Sequence, residues 1–159
     1  AFLQAEGRLR DAVPELQRAI ELGAGKFGAS FLLGQAYFHL QNFAEAEAAL
    51  SKAVEIEPGR FGILHMRARA VARQGRSRDA YGLYRQAIAG APAPEAALRE
   101  FVKLATSLSE QNDAASVLMA MQGQYDAPAV LDTLVAELRV GIDRVDGNPD
   151  ALRLGIPAR

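Results

Sequence analysis

A spacing of 34 residues, as between Ala12 and Ala46, recurs through most of this chain. Small residues repeat at that interval, and each is followed four residues later by a large apolar side chain. The small residues are Ala12, Ala46, Ala80 and Ala114, and their followers are Leu16, Leu50, Tyr84 and Leu118. A period of about 34 residues is typical of supersecondary units that stack on their neighbours, and it argues against one globular core.

Each complete unit of the repeat is predicted to contain two helices. In the unit 27–60, apolar residues at helical spacing indicate a first helix over about 27–40 and a second over about 43–56. Gln41-Asn42 is the expected turn between them. Pro58-Gly59 is the expected end of the second helix.

Small residues are expected where the two helix axes come closest, because helices that pack at about 8–10 Å need short side chains there. Gly34 and Ala46 are placed at such a contact. An acidic residue, and in one case also Pro14, is expected in the first turn of each second helix, where negative charge meets the positive end of the helix dipole. The acidic residues are Asp11, Glu45, Asp79 and Asp113.

The run Leu33-Gly34-x-x-Tyr37, the Ala-x-x-x-large-x-x-Ala run and the closing proline resemble the tetratricopeptide repeat family. The resemblance covers roughly residues 1–122. It implies an all-α fold, a right-handed superhelix of antiparallel helix pairs, or α-solenoid. The expected segments are a partial repeat at 1–26, full repeats at 27–60 and 61–94, a divergent repeat at 95–122, a capping helix within 123–146 and a loop or tail at 147–159.

The capping helix is predicted over 128–145, after a start signal at Asp126-Ala127-Pro128. Its apolar face would cover the end of the stack, or the helix would open a fifth unit. That face comprises Val130, Leu131, Leu134, Val135, Leu138 and Ile142. Because the chain begins without methionine and partway through a repeat, we expect it to be part of a longer protein.

The net charge of −1 conceals a basic middle. Residues 60–103 carry nine basic and three acidic side chains, whereas acidic side chains outnumber basic ones on both sides of this segment. Between Gly59 and Arg78 there are six arginines and no acid. Two readings stay open: a solvated face, or a surface whose arginine forks bind the carboxylates of a peptide.

In the family that this chain resembles, the first helix of each repeat lines a concave groove. That register implies three stripes of groove residues at helical spacing, with apolar anchoring from Phe31 and Phe38. The residues are Phe31, Gln35, Phe38 and His39, then His65, Arg69 and Arg73, then Arg99 and Lys103. Arg99 is the poorer contact residue, because Glu95 stands four residues before it.

Some members of the family bind a terminal carboxylate with a fixed set of lysine, asparagine and arginine residues. The matching positions here do not fit that set, so this specificity is not expected. They hold Phe31, Gln35, Met66, Ala96 and Glu100.

Other chemistry finds little support in the sequence. The chain has no cysteine, which excludes disulfides and thiolate metal sites. His39 and His65 would stand about 12 Å apart along their helices and about 10 Å apart across them, too far to share a metal ion. No cofactor or metal is therefore expected. The near-neutral charge argues against nucleic acid binding, and no apolar run approaches the ~18 residues of a membrane helix.

The sequence thus predicts a soluble, non-catalytic scaffold that binds a peptide or helix of another protein, with apolar and acidic residues facing the groove. The alternative is a repeat segment that regulates or targets a larger enzyme, for example a glycosyl- or sulfo-transferase. Self-association through the first unit is a third reading. The compartment, cytoplasm or bacterial periplasm, stays open.

Overall fold

A computed structural model describes residues 2–90, 93–121 and 128–145 of the chain. Within these ranges every regular element is an α-helix, which confirms the predicted all-α helical-repeat fold. The helices are α1 (Phe2–Glu21), α2 (Lys26–His39), α3 (Phe43–Ile56), α4 (Phe61–Arg73), α5 (Ser77–Gly90), α6 (Glu95–Leu108), α7 (Gln111–Met121) and α8 (Pro128–Val145).

The helices form two compact units, the first ending at Ala93 and the second beginning at Pro94. In the first unit each helix packs against the next one along the chain, from α1 to α5. In the second unit α6, α7 and α8 all contact one another. The exact repeat boundaries within these units stay a prediction.

The same turn joins the two helices of each pair. Shortly after the end of each first helix, one residue adopts a left-handed backbone; these residues are Gln41, Gly75 and Ser109, with φ of 63°, 80° and 61°. The next N–H then donates to a carbonyl five residues earlier. These bonds run from Asn42 to Tyr37 (2.9 Å), from Arg76 to Val71 (3.3 Å) and from Glu110 to Ala105 (2.8 Å). This is a Schellman turn, which ends a helix and reverses the chain.

Small residues interlock with large ones where paired helices meet. The alanines Ala46, Ala80 and Ala114 are fully buried, as the repeat spacing predicts. Gly34 packs against the follower Leu50: a Cβ on Gly34 would lie 2.5 Å from the Leu50 Cγ. The glycine is therefore required by contact, because any side chain there would displace the neighbouring helix.

Helix α1 departs from the predicted pattern. It runs unbroken from Phe2 to Glu21, although Gly7 occupies the repeat position of the left-handed turn residue. Asp11 is therefore not in a first turn, and Pro14 lies inside the helix. Extending an existing helix adds one hydrogen bond per residue, which favours continuation of α1 through Gly7. The other predicted acids, Glu45, Asp79 and Asp113, do lie in first turns.

Helix α8 spans the predicted range and packs against α6 and α7. The apolar positions Leu131, Leu134, Val135 and Leu138 are buried, as predicted. The Ile142 side chain, the Asp126-Ala127 start and the tail 147–159 lie outside the described residues.

Gly7 and Gly75 occupy the same repeat position, but replacing each by alanine should change the stability in opposite directions. Gly7 is helical and a Cβ there meets nothing within 4 Å, so Gly7→Ala should stabilise the fold by about 0.5–1 kcal/mol. Gly75 has φ +80°, so Gly75→Ala should cost about 1–2 kcal/mol. Urea unfolding followed by circular dichroism measures both; a loss of stability in Gly7→Ala would contradict the continuous α1.

The Gly34–Leu50 contact predicts a second contrast, this time within α2. Gly34→Ala should cost about 1–3 kcal/mol, because the added methyl group overpacks the Leu50 side chain. Gly28→Ala is the matched control, since a Cβ there meets nothing within 4 Å and should be neutral or stabilising. Equal melting temperatures for the two variants would rule out the close helix contact.

Candidate functional site

The predicted groove residues of the first unit lie on α2 and α4, two helices that contact each other. We call the surface formed by Phe31, Gln35 and His39 of α2 with His65, Arg69 and Arg73 of α4 the α2–α4 face. His39 and Arg73 are exposed on it, and the other four side chains are half-buried.

Phe38 does not offer its ring to this surface. Its side chain is only 8% exposed and belongs to the core cluster with Leu50 and Ile63. The ring lies edge-on to Phe43, with centroids 5.5 Å apart. The sequence placed Phe38 as an apolar anchor, and we leave it out of the contact set because a buried ring cannot meet a partner.

Aromatic packing also fixes the other predicted contact residues. Phe31 stacks in parallel on Phe27, with ring centroids 6.3 Å apart. His65 stacks on Phe61 at 5.2 Å and meets the edge of Tyr84, on α5, at 5.5 Å. Neighbouring aromatic side chains therefore hold both rings in a defined orientation.

Three arginines of the basic segment lie over phenyl rings that come from earlier in the chain. The pairs are Arg60 over Phe27 (4.9 Å from guanidinium carbon to ring centre), Arg69 over Phe38 (5.0 Å) and Arg73 over Phe43 (4.6 Å). Such a cation–π contact contributes about 0.5–1 kcal/mol at exposed sites and holds the guanidinium plane against the ring. The stacks join the start, middle and end of α4 to the preceding helix pair.

The two helices of the α2–α4 face carry basic but no acidic residues. Neither α2 nor α4 contains an aspartate or glutamate, and the three glutamates of the intervening α3 are Glu45, Glu47 and Glu55. Two carboxylates bind Arg76, just after α4: Asp79 at 2.9 Å and Glu47 at 2.8 Å. Their hydrogen bonds, that of Asp79 first, raise the pKa of Arg76.

The third predicted stripe belongs to the second unit. Arg99 donates from Nε to Glu95 Oε1 at 2.8 Å and lies 3.6 Å from Glu137 of α8. The hydrogen bond to Glu95 raises the pKa of Arg99. Arg99 thus pairs with Glu95 as the spacing suggested, and Lys103 is an exposed cation of α6.

One cleft that the sequence did not predict lies at the starts of α2 and α4. Its volume is about 250 Å³, and it is lined by Phe27, Phe31, Arg60, Gly62 and Ile63. A signal for it exists in the sequence, because Lys26-Phe27-Gly28 and Arg60-Phe61-Gly62 place the same basic-aromatic-glycine order at equivalent positions of successive repeats. Only Phe31 among the cleft residues was expected to contact a ligand.

The described residues contain no group of three or more His, Asp or Glu side chains placed to hold a metal ion. No helix within those ranges is both long and apolar enough to cross a membrane.

Comparison with known proteins finds a family match over part of the chain. Residues 3–61 match a family model described as tetratricopeptide repeat. No curated protein sequence matches the chain. Among solved structures, YrrB, described as a TPR protein with an unusual peptide-binding site, superposes with a TM-score of 0.68 and 17% identity over 95% of this chain and 76% of its own. MamA superposes with a TM-score of 0.64 and 12% identity over 90% of this chain and 94% of its own. At these identities the likeness is one of fold.

Proposed function

We propose that this chain, which carries tetratricopeptide repeats, is a non-catalytic protein-interaction scaffold whose α2–α4 face binds a peptide segment with acidic and apolar residues. A protein of the same fold, YrrB, has a peptide-binding site, which supports a peptide as the class of ligand. The peptide's chemistry follows from the α2–α4 face of this chain.

The distribution of charge is the observation that carries the proposal. The charged side chains of α2 and α4 are Lys26, Arg67, Arg69 and Arg73, with no acid on either helix. A surface of one sign raises the local concentration of oppositely charged segments and accelerates their association. This face therefore attracts an acidic peptide segment and repels a basic one.

The arginine–phenyl stacks make the face suited to carboxylates in particular. A guanidinium over a ring face can still donate two hydrogen bonds from its N–H groups to one carboxylate. Because Phe38 and Phe43 already hold Arg69 and Arg73, less side-chain freedom is lost on binding. This preorganisation favours the hypothesis that the arginines bind carboxylates over the alternative that they only form a solvated face.

Apolar contact is supplied by Phe31, which is half-buried and supported from below by Phe27. Large, rigid aromatic rings at the centre of an interface contribute much of its binding energy. Arg99 and Lys103 belong to the second unit and are not part of the α2–α4 face. Arg99 is already paired with two carboxylates, and Lys103 is exposed.

Charge reversal tests the proposal. Peptides selected on the wild-type chain from a random phage library should be rich in acidic and apolar residues. The double variant Arg69→Glu/Arg73→Glu should bind these peptides with an affinity at least about tenfold lower. That loss follows because charge-assisted hydrogen bonds contribute about 1.5–3 kcal/mol each and 1.4 kcal/mol is tenfold in affinity. Fluorescence anisotropy with labelled synthetic peptides measures it.

The matched control is Arg78→Glu/Arg85→Glu on α5, which changes the net charge equally at two exposed positions of another helix. It should leave affinity within about twofold after melting curves show both variants folded. If both variants lose peptide affinity equally, the loss comes from the change in net charge, and a site on the α2–α4 face is contradicted.

A further inference from the structure

We infer that the cleft at the starts of α2 and α4 is an anchor site for one apolar side chain of the bound peptide, with a carboxylate of that peptide on Arg60. This inference rests on the proposed function and assigns a position within its binding surface. The occupant is a peptide segment in which an apolar residue stands beside an aspartate or glutamate.

The size of the cleft fits a side chain. Its volume of about 250 Å³ lies below the range of about 300–1,000 Å³ typical of small-molecule pockets. The walls are the stacked rings of Phe27 and Phe31, and Ile63, which is 2% exposed. Burying an aliphatic or aromatic side chain against such walls contributes about 1.5–3 kcal/mol.

The cleft is open because Gly62 lines it without a side chain. A Cβ on Gly62 would meet nothing within 4 Å, so neither packing nor a left-handed backbone requires glycine there. Gly28, at the equivalent repeat position on α2, is equally open. A glycine inside a helix lowers stability by about 1 kcal/mol relative to alanine. Here the glycine keeps the entrance of the cleft clear of side chains.

Arg60 supplies the charge at the rim. Its guanidinium lies 4.9 Å from the centre of the Phe27 ring and hydrogen-bonds Glu57 at 2.8 Å. Both side chains of that ion pair are about half exposed, at 59% and 45%. An exposed pair of this kind is weak, so a carboxylate from the peptide can replace Glu57 at little cost.

The positions of the arginines also set a spacing in the peptide. Arg60 immediately precedes the first residue of α4, and Arg69 lies eight residues after that first residue, about 12 Å along the helix. An extended peptide covers that distance in about four residues. The expected sequence pattern is thus an apolar residue next to an acid, with a second acid about four residues away.

The test replaces the open glycine with a bulky residue. The probe is the strongest acidic-apolar peptide selected on the wild-type chain, synthesised with a fluorescent label. Gly62→Trp should weaken its binding at least tenfold by filling the cleft, and Gly62→Leu should also weaken it. Gly82→Trp is the matched control, because Gly82 is a helical glycine on α5 whose Cβ would likewise meet nothing within 4 Å, and it should bind normally.

A second measurement separates an occupied cleft from a disturbed fold. Replacing the peptide's apolar residue by alanine should weaken binding to the wild type at least tenfold but have little further effect on Gly62→Trp. If the peptide binds Gly62→Trp and the wild type equally yet loses affinity for Arg69→Glu/Arg73→Glu, the anchor site is wrong and the proposed function stands. If no peptide is selected, or none responds to either change, both are wrong.

Discussion

The structure depends on one recurring constraint: a left-handed turn residue followed by close contact between paired helices. The turns at Gln41, Gly75 and Ser109 end the first helix of each pair and reverse the chain at the same repeat position. Buried small residues then fix the distance and rotation between the partners. In the first unit, α2 and α4 contain no acidic residue, whereas the intervening α3 contains three glutamates.

Much of the fold was predictable because its signals are local and repeated. The expected second helix over 43–56 and the last helix over 128–145 match α3 and α8. Helix α1 was not predictable in the same way: Gly7 carries the same signal as Gly75, yet the two adopt different backbones. A glycine permits a left-handed turn but also fits within a helix, so the residue type alone does not decide between the two.

The candidate face was proposed from the sequence, but its construction was not predictable. The family register, with helical spacing, places Arg69 and Arg73 on the groove side of α4, and their role in binding stays a prediction. The rings beneath them, Phe38 and Phe43, come from the preceding helix pair, and only tertiary packing brings them there. The burial of Phe38 has the same origin, because the depth of a ring depends on its neighbours and not on its own repeat position. The resulting surface therefore consists of arginines that lie over rings from the preceding helix pair.

Coupling between an arginine and a peptide carboxylate tests the central claim most directly. A double-mutant cycle would combine Arg73→Gln in the chain with Glu→Gln at the matching acid of the selected peptide, with each affinity measured by calorimetry. If Arg73, held on Phe43, binds that carboxylate, the two changes should be non-additive by about 1 kcal/mol or more. Additivity within about 0.3 kcal/mol at every acidic position of the peptide would show that the arginine does not bind it.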